Sequence, residues 1–130
     1  MKLLRLFIPV FAIWVAQVAC GVAKSYSDTT PIPGEVQIPN VVLRGDKNSF
    51  VIVTEAKATC YAAIGFWDKN DHWVFDELPN KKADDAGQCE WKWEVPSNAK
   101  DGPGEFRGTV ENDKQSSGLI PKNFCIEQCP

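Results

Sequence analysis

Polar and apolar residues alternate along most of the chain from residue 35 onward. The stretch 88–95, QCEWKWEV, shows it best: Cys89, Trp91, Trp93 and Val95 fall in one set, Glu90, Lys92 and Glu94 in the other. Successive side chains of a strand project to opposite faces, so the pattern predicts a strand with its Cys/Trp face in a core. By the same parity, residues 59–68, TCYAAIGFWD, group Cys60, Ala62, Ile64 and Phe66 on one face. Residues 105–111 group Phe106, Gly108 and Val110, and residues 122–126 turn Phe124 and Ile126 inward and Cys125 outward. Residues 36–43 alternate and then run apolar, 49–54 (SFVIVT) are β-branched, and 72–75 make a weaker strand. Residues 96–104, rich in Gly and Pro, read as a turn region, and 80–86 as a turn of helix at most. Short period-2 segments separated by Gly, Pro, Asn and Asp predict an all-β antiparallel sandwich of about seven strands.

The first residues follow another rule. Lys2 and Arg5 precede an apolar run from Leu6 to about Ala16, interrupted by Pro9 and ending in small residues. The run is shorter than the roughly 20 apolar residues of a membrane-spanning helix. A positive start, a short apolar middle and a small-residue end predict an export signal. Two cleavages are open. A signal peptidase has small-x-small sites at Ala19-Cys20-Gly21 and Gly21-Val22-Ala23. Alternatively Val18-Ala19-Cys20 resembles the end of a bacterial lipobox, with Gln17 where leucine is usual; that reading implies lipidation of Cys20 as the mature N-terminus. Acyl chains contribute about 0.8 kcal/mol per buried methylene, enough in a multiply acylated terminus for stable membrane attachment. The expected organisation is a signal over 1–19, Cys20 and a tether over 20–34, and one domain over 35–130. As a flexible coil the tether spans about 20 Å.

The cysteine count favours the lipid reading. The chain has 5 cysteines, and an odd number leaves one thiol unexplained in an exported protein. Setting Cys20 aside leaves Cys60, Cys89, Cys125 and Cys129, which can pair in three ways and fit an oxidising compartment. Signal removal takes Lys2 and Arg5 from the 14 basic residues and none of the 17 acidic ones, so the formal charge moves from −3 to −5. No basic cluster stands out. An acidic surface disfavours nucleic acid and anionic lipid headgroups as partners.

The residues offer little catalytic chemistry. His72 is the only histidine, and it has no Ser or Cys partner in a triad pattern. Asp68, Asn70 and Asp71 loosely suggest a calcium loop, but Trp73 and Pro79 stand where an EF-hand loop needs Gly and Glu. Asp84 and Asp85 make an acidic pair without a template; a small enzyme built on them is the weakest reading. No cofactor motif is present. Aromatic residues are the better candidates. Tyr61 and Trp67 share the outward face of their strand, and Trp73 lies in the adjoining hairpin. Exposed flat aromatics stack on sugar rings or anchor protein partners. The competing expectation is that residues 69–87 cover them.

The set Ala83-Asp84-Asp85-Ala86-Gly87, Trp91-Lys92-Trp93-Glu94-Val95, Gly104 to Val110 and Phe124-Cys125-Ile126, with the strands at 49–54 and 59–66, resembles bacterial immunoglobulin-like surface domains. The resemblance covers about residues 36–127. It implies a sandwich fold and an exported setting, and no reaction. In such a sandwich, Cys60 and Cys89 face inward near one pole, which implies a Cys60–Cys89 bridge beside Trp91; Cys125 faces out near the other pole and pairs with Cys129. The expectation is a monomeric, non-enzymatic lipoprotein that presents this domain at the cell envelope for binding or adhesion to a surface protein or polysaccharide. The alternative is a secreted glycan-binding module using Trp67 and Trp73.

Overall fold

The computed structural model describes residues 31–130. The signal, Cys20 and most of the tether lie outside the described residues. Ten strands are formed among the described residues, and no helix: β1 (Glu35–Gln37), β2 (Val41–Val42), β3 (Asn48–Val53), β4 (Thr59–Asp68), β5 (Trp73–Glu77), β6 (Lys81–Lys82), β7 (Gln88–Trp93), β8 (Ala99–Glu111), β9 (Ser116–Gly118) and β10 (Lys122–Ile126). They make two sheets. One has three strands in the order β1-β3-β7. The other runs β2-β10-β8-β4-β5, with β6 also on β4 and β9 also on β8. The packed unit begins at Ile32, which is buried, and the Pro33 carbonyl accepts a hydrogen bond from the Thr54 hydroxyl at 2.6 Å. The last residues of the expected tether therefore belong to the domain.

The fold is all-β and two-layered, as the alternation predicts, with ten strands among the described residues where about seven are expected. The 36–43 segment is divided. Val36 pairs with Ile52 in the small sheet, and Val41 pairs with Cys125 in the large one. Pro39, which has no N–H for a ladder, sits between the two pieces. The β2–β10 pair is parallel, so the sandwich is not purely antiparallel. β8 starts at Ala99, inside the stretch read as a turn. Gly102 takes φ +131°, and Pro103 pairs with Cys125 of β10 beside the register shift between Phe66 and Asp68 of β4. A bulge is where a strand tolerates a missing N–H.

The inward faces meet in an aromatic core. Phe50 stacks on Phe106 with centroids 5.4 Å apart, and meets Trp93 and Phe124 edge-on at 5.8 and 5.4 Å. Trp91 packs on Phe106 at 6.2 Å. Such pairs each add about 0.5–1.5 kcal/mol beyond area burial. Each buried indole finds an acceptor in the segment after β4: Trp91 Nε1 donates to the Pro79 carbonyl at 2.7 Å, and Trp93 Nε1 donates to Asp76 Oδ2 at 2.8 Å.

Both implied bridges form. Cys60–Cys89 joins the two sheets inside the core, with Cα atoms 6.5 Å apart. Cys125–Cys129 closes a short loop at the C-terminal end of β10, Cα atoms 5.8 Å apart. In the chain-entropy picture, replacing Cys60 and Cys89 together by alanine should cost about 3–4 kcal/mol, and replacing Cys125 and Cys129 about 2 kcal/mol. Urea unfolding of the two double variants checks this. Equal losses would break the argument from loop length.

Candidate functional site

The outward face of β4 carries Tyr61, Ala63, Gly65 and Trp67. Its neighbours present Trp73, Phe75 and Glu77 on β5, and Glu105, Arg107 and Thr109 on β8. Trp67 lies directly across from Trp73, Gly65 from Phe75, and Ala63 from Glu77. The three aromatic residues at this end form a row. Trp67 and Trp73 meet edge-on with centroids 5.4 Å apart, and Trp73 meets Phe75 edge-on at 6.0 Å. Trp67 is 41% exposed and Phe75 44%, so residues 69–87 do not cover the row. Trp73 is half-buried between them.

Gly65 is the floor of the row. A Cβ there would stand 2.5 Å from Trp73 Cζ2 and 2.9 Å from Phe75 Cε1. The absence of a side chain lets both rings lie close over the strand. On the far side of Phe75 the guanidinium of Arg107 sits 5.0 Å above the ring, a cation–π arrangement. Arg107 Nε also pairs with the Glu105 carboxylate beside it.

Two hollows flank this row. One, of about 260 Å³, opens between Tyr61, Ala63, Glu77, Asn80, Arg107 and Thr109. The Tyr61 hydroxyl donates to Glu111 Oε1 at a long 3.4 Å. The other, of about 320 Å³, is lined by Trp67, Asp71, Lys100, Asp101 and Pro103. Its charges are paired. Lys100 Nζ is 2.5 Å from Asp71, and Asp101 is held by Arg44 Nη2 at 2.8 Å. Arg44 Nη2 also donates to the Ala99 carbonyl at 2.6 Å, tying the end of β2 to the start of β8.

The structure thus brings Tyr61, Trp67 and Trp73 to one face. Phe75, Glu77 and Arg107 join them, and the sequence reading passed over these three. The signal for Phe75 and Glu77 was present, since Trp73, Phe75 and Glu77 alternate with Val74 and Asp76; Arg107 carried none beyond parity. The acidic residues read as a loose calcium loop are committed elsewhere. Asp68 Oδ1 accepts the backbone N–H groups of Asn70 and His72, each at 2.9 Å, and closes the β4–β5 turn, in which Asp71 takes φ +62°. The backbone N–H of His72, helped by that of Asn70, holds the Asp68 carboxyl below its ordinary value. Asp84 does a similar job, accepting from the N–H groups of Ala86 and Gln88. On the small sheet, the Ser49 hydroxyl and then Lys92 lower the Glu90 carboxyl. His72 stands exposed with Nδ1 3.7 Å from Asp68. Among the described residues no three His, Cys, Asp or Glu side chains are grouped to hold a metal.

No family model matches the chain, and no curated protein does. Solved structures do. A superoxide reductase (neelaredoxin) from Ignicoccus hospitalis superposes with a TM-score of 0.52 at 10% identity, over 80% of this chain and 87% of that one. At that identity the likeness is one of fold. An alkylpurine DNA glycosylase from Pseudomonas fluorescens, bound to DNA containing an abasic site analog, reaches a TM-score of 0.40 at 17% identity, over 74% of this chain and 31% of that one.

Placing alanine at Gly65 should displace the Trp73 and Phe75 rings, because flexible surface side chains yield before backbone does. The near-UV circular dichroism of the tryptophans should change while stability moves by less than about 1 kcal/mol. An unchanged spectrum would mean that Gly65 does not seat the row.

Proposed function

We propose that the protein is a non-enzymatic binding domain of the cell envelope, exported and held by lipid on Cys20, with its sandwich of immunoglobulin-like kind. It engages a surface protein or polysaccharide through the outward face of the large sheet. The observation that carries this reading is the row Trp67, Trp73 and Phe75. Two of its rings stand more than 40% exposed on a strand face that could have been polar. Side-by-side exposed aromatics are costly to leave in water, and Trp and Tyr are the residues that most often anchor binding. The two disulfides fit an oxidising, extracytoplasmic environment. No helix among the described residues is long and apolar enough to cross a membrane.

Two measurements test the parts separately. The membrane-fraction protein should have an intact mass that starts at Cys20, carries a diacylglyceryl group and gains four hydrogens on reduction. A soluble, unlipidated mass starting at Lys24 would remove the anchor. For binding, the fluorescently labelled mature protein should be retained on envelope preparations or immobilised polysaccharides. A Trp67→Ala/Phe75→Ala variant with unchanged melting should lose that retention. Equal retention of wild type and variant would put binding elsewhere.

A further inference from the structure

We propose that this outward face is a binding track for a linear chain of neutral sugars, running along β4 with one hollow at each end of the aromatic row. The inference rests on the reading that this face binds, and it names the ligand class and the direction in which it lies.

Three observations point the same way. The first is shape. Tyr61 and Trp67 lie six positions apart on one face of one strand, a separation of about 20 Å at about 3.3 Å per residue. Tyr61 borders the hollow of about 260 Å³, and Trp67 borders the hollow of about 320 Å³. Between them Gly65 is buried beneath the Trp73 and Phe75 rings, so the aromatic row itself bridges the two hollows, with Ala63 beside the first. A row of exposed rings with a depression at either end suits a slender chain of sugars laid along it. A flat protein surface would meet the crest of Trp67 and Phe75 and leave both hollows empty.

The second is chemistry. A sugar ring has an apolar C–H face and a rim of hydroxyls. Aromatic faces carry negative charge density and attract C–H groups. The hollows supply the rim with partners of both kinds: the Tyr61 and Thr109 hydroxyls, the Asn80 amide and the Glu77 carboxylate in one, and Asp71, Lys100 and Asp101 in the other. Sites for small polar ligands combine apolar walls with a few placed polar groups in this way.

The third is charge. Around the first hollow Glu77, Glu105 and Glu111 stand against Arg107, which already pairs with Glu105 and lies over Phe75. In the second, Lys100 is paired with Asp71 and Asp101 with Arg44. Among the residues that line the two hollows the cations are paired, Arg107 with Glu105 and Lys100 with Asp71, and the carboxylates around the first outnumber its one arginine; Lys82, across from Thr59 at the Tyr61 end of the face, stands exposed outside that lining. The lining of the hollows therefore favours a neutral chain over an acidic one.

Calorimetric titration of the mature protein tests this. The probes are cello-, xylo-, malto- and N-acetylchito-oligosaccharides as dimers and hexamers, with hexagalacturonate as the anionic comparison. At least one neutral hexamer should bind one-to-one and at least about tenfold tighter than its dimer, because it reaches both hollows at once. Tyr61→Phe and Trp67→Ala, each checked for unchanged melting, should each weaken that hexamer several-fold and bring it toward the dimer. Equal affinity for dimer and hexamer would overturn the two-ended track. Tighter binding of hexagalacturonate would overturn the charge argument. Failure of every neutral hexamer would overturn the inference. If retention on envelope preparations then still depended on Trp67 and Phe75, the face would remain a binding face for a different ligand. If that retention were absent too, the binding reading would fall with it.

Discussion

The buried indole N–H groups of Trp91 and Trp93 set how the rest of the molecule is arranged. A buried donor without an acceptor costs roughly 1–3 kcal/mol, so each ring must find one. Both acceptors belong to the segment that follows β4: the Pro79 carbonyl and the Asp76 carboxylate. The small sheet thus reaches across and holds the margin of the large one, and the Cys60–Cys89 bridge clamps the same neighbourhood covalently. With Asp76 drawn toward Trp93, the parity of β5 is settled. Val74 packs on the core, while Trp73, Phe75 and Glu77 must face outward. A slip of one residue in this strand would exchange the two sets. The aromatic row on the surface is therefore a consequence of hydrogen bonding in the interior.

Around that row the chain spends small residues where it needs clearance. Gly65 lets two rings settle onto the sheet, and Ala63 leaves the hollow below Arg107 open. The arginine has an apolar as well as an ionic reason to stay, since it covers Phe75 while pairing with Glu105. At the other end the charged side chains hold one another: Arg44 with Asp101, Lys100 with Asp71. These exposed pairs are worth little to stability. What they do is keep the loop ends in place beside Trp67.

How much of this was legible in the sequence follows from where parity is strict. β4 and β7 were readable almost residue by residue, because each buries one complete face between layers. Their inward Cys60 and Cys89, placed near one pole by the resemblance, met as implied. Parity says nothing about which sheet a strand joins, so the change of sheet at Pro39 and the parallel β2–β10 pair were invisible. Gly102 and Pro103 misled because both are turn formers, here accommodated in a long strand beside a bulge. β9 is short and polar and pairs only at the end of β8, so it left no hydrophobic trace. Tyr61, Trp67 and Trp73 were found as exposed aromatics on a strand and hairpin. Phe75 was placed on the weak strand without being recognised as their neighbour, and Arg107 joins them only through pairing with a distant strand.

The central pairing of the large sheet has a kinetic side. Cys60 of β4 lies opposite Val110 of β8, 50 positions further along the chain. Contacts so remote in sequence slow folding, because the intervening loop must close first. Once Cys60 is joined to Cys89, the route to Val110 runs from residue 89 and is about 21 positions long. Loop-closure entropy grows with the logarithm of length, so this shortening lowers the closing cost by about 0.8 kcal/mol, roughly a fourfold gain in rate if closure limits. The covalent link inside the core thus also turns a distant meeting into a nearby one. A chain oxidised early would assemble its largest sheet sooner than the same chain kept reduced.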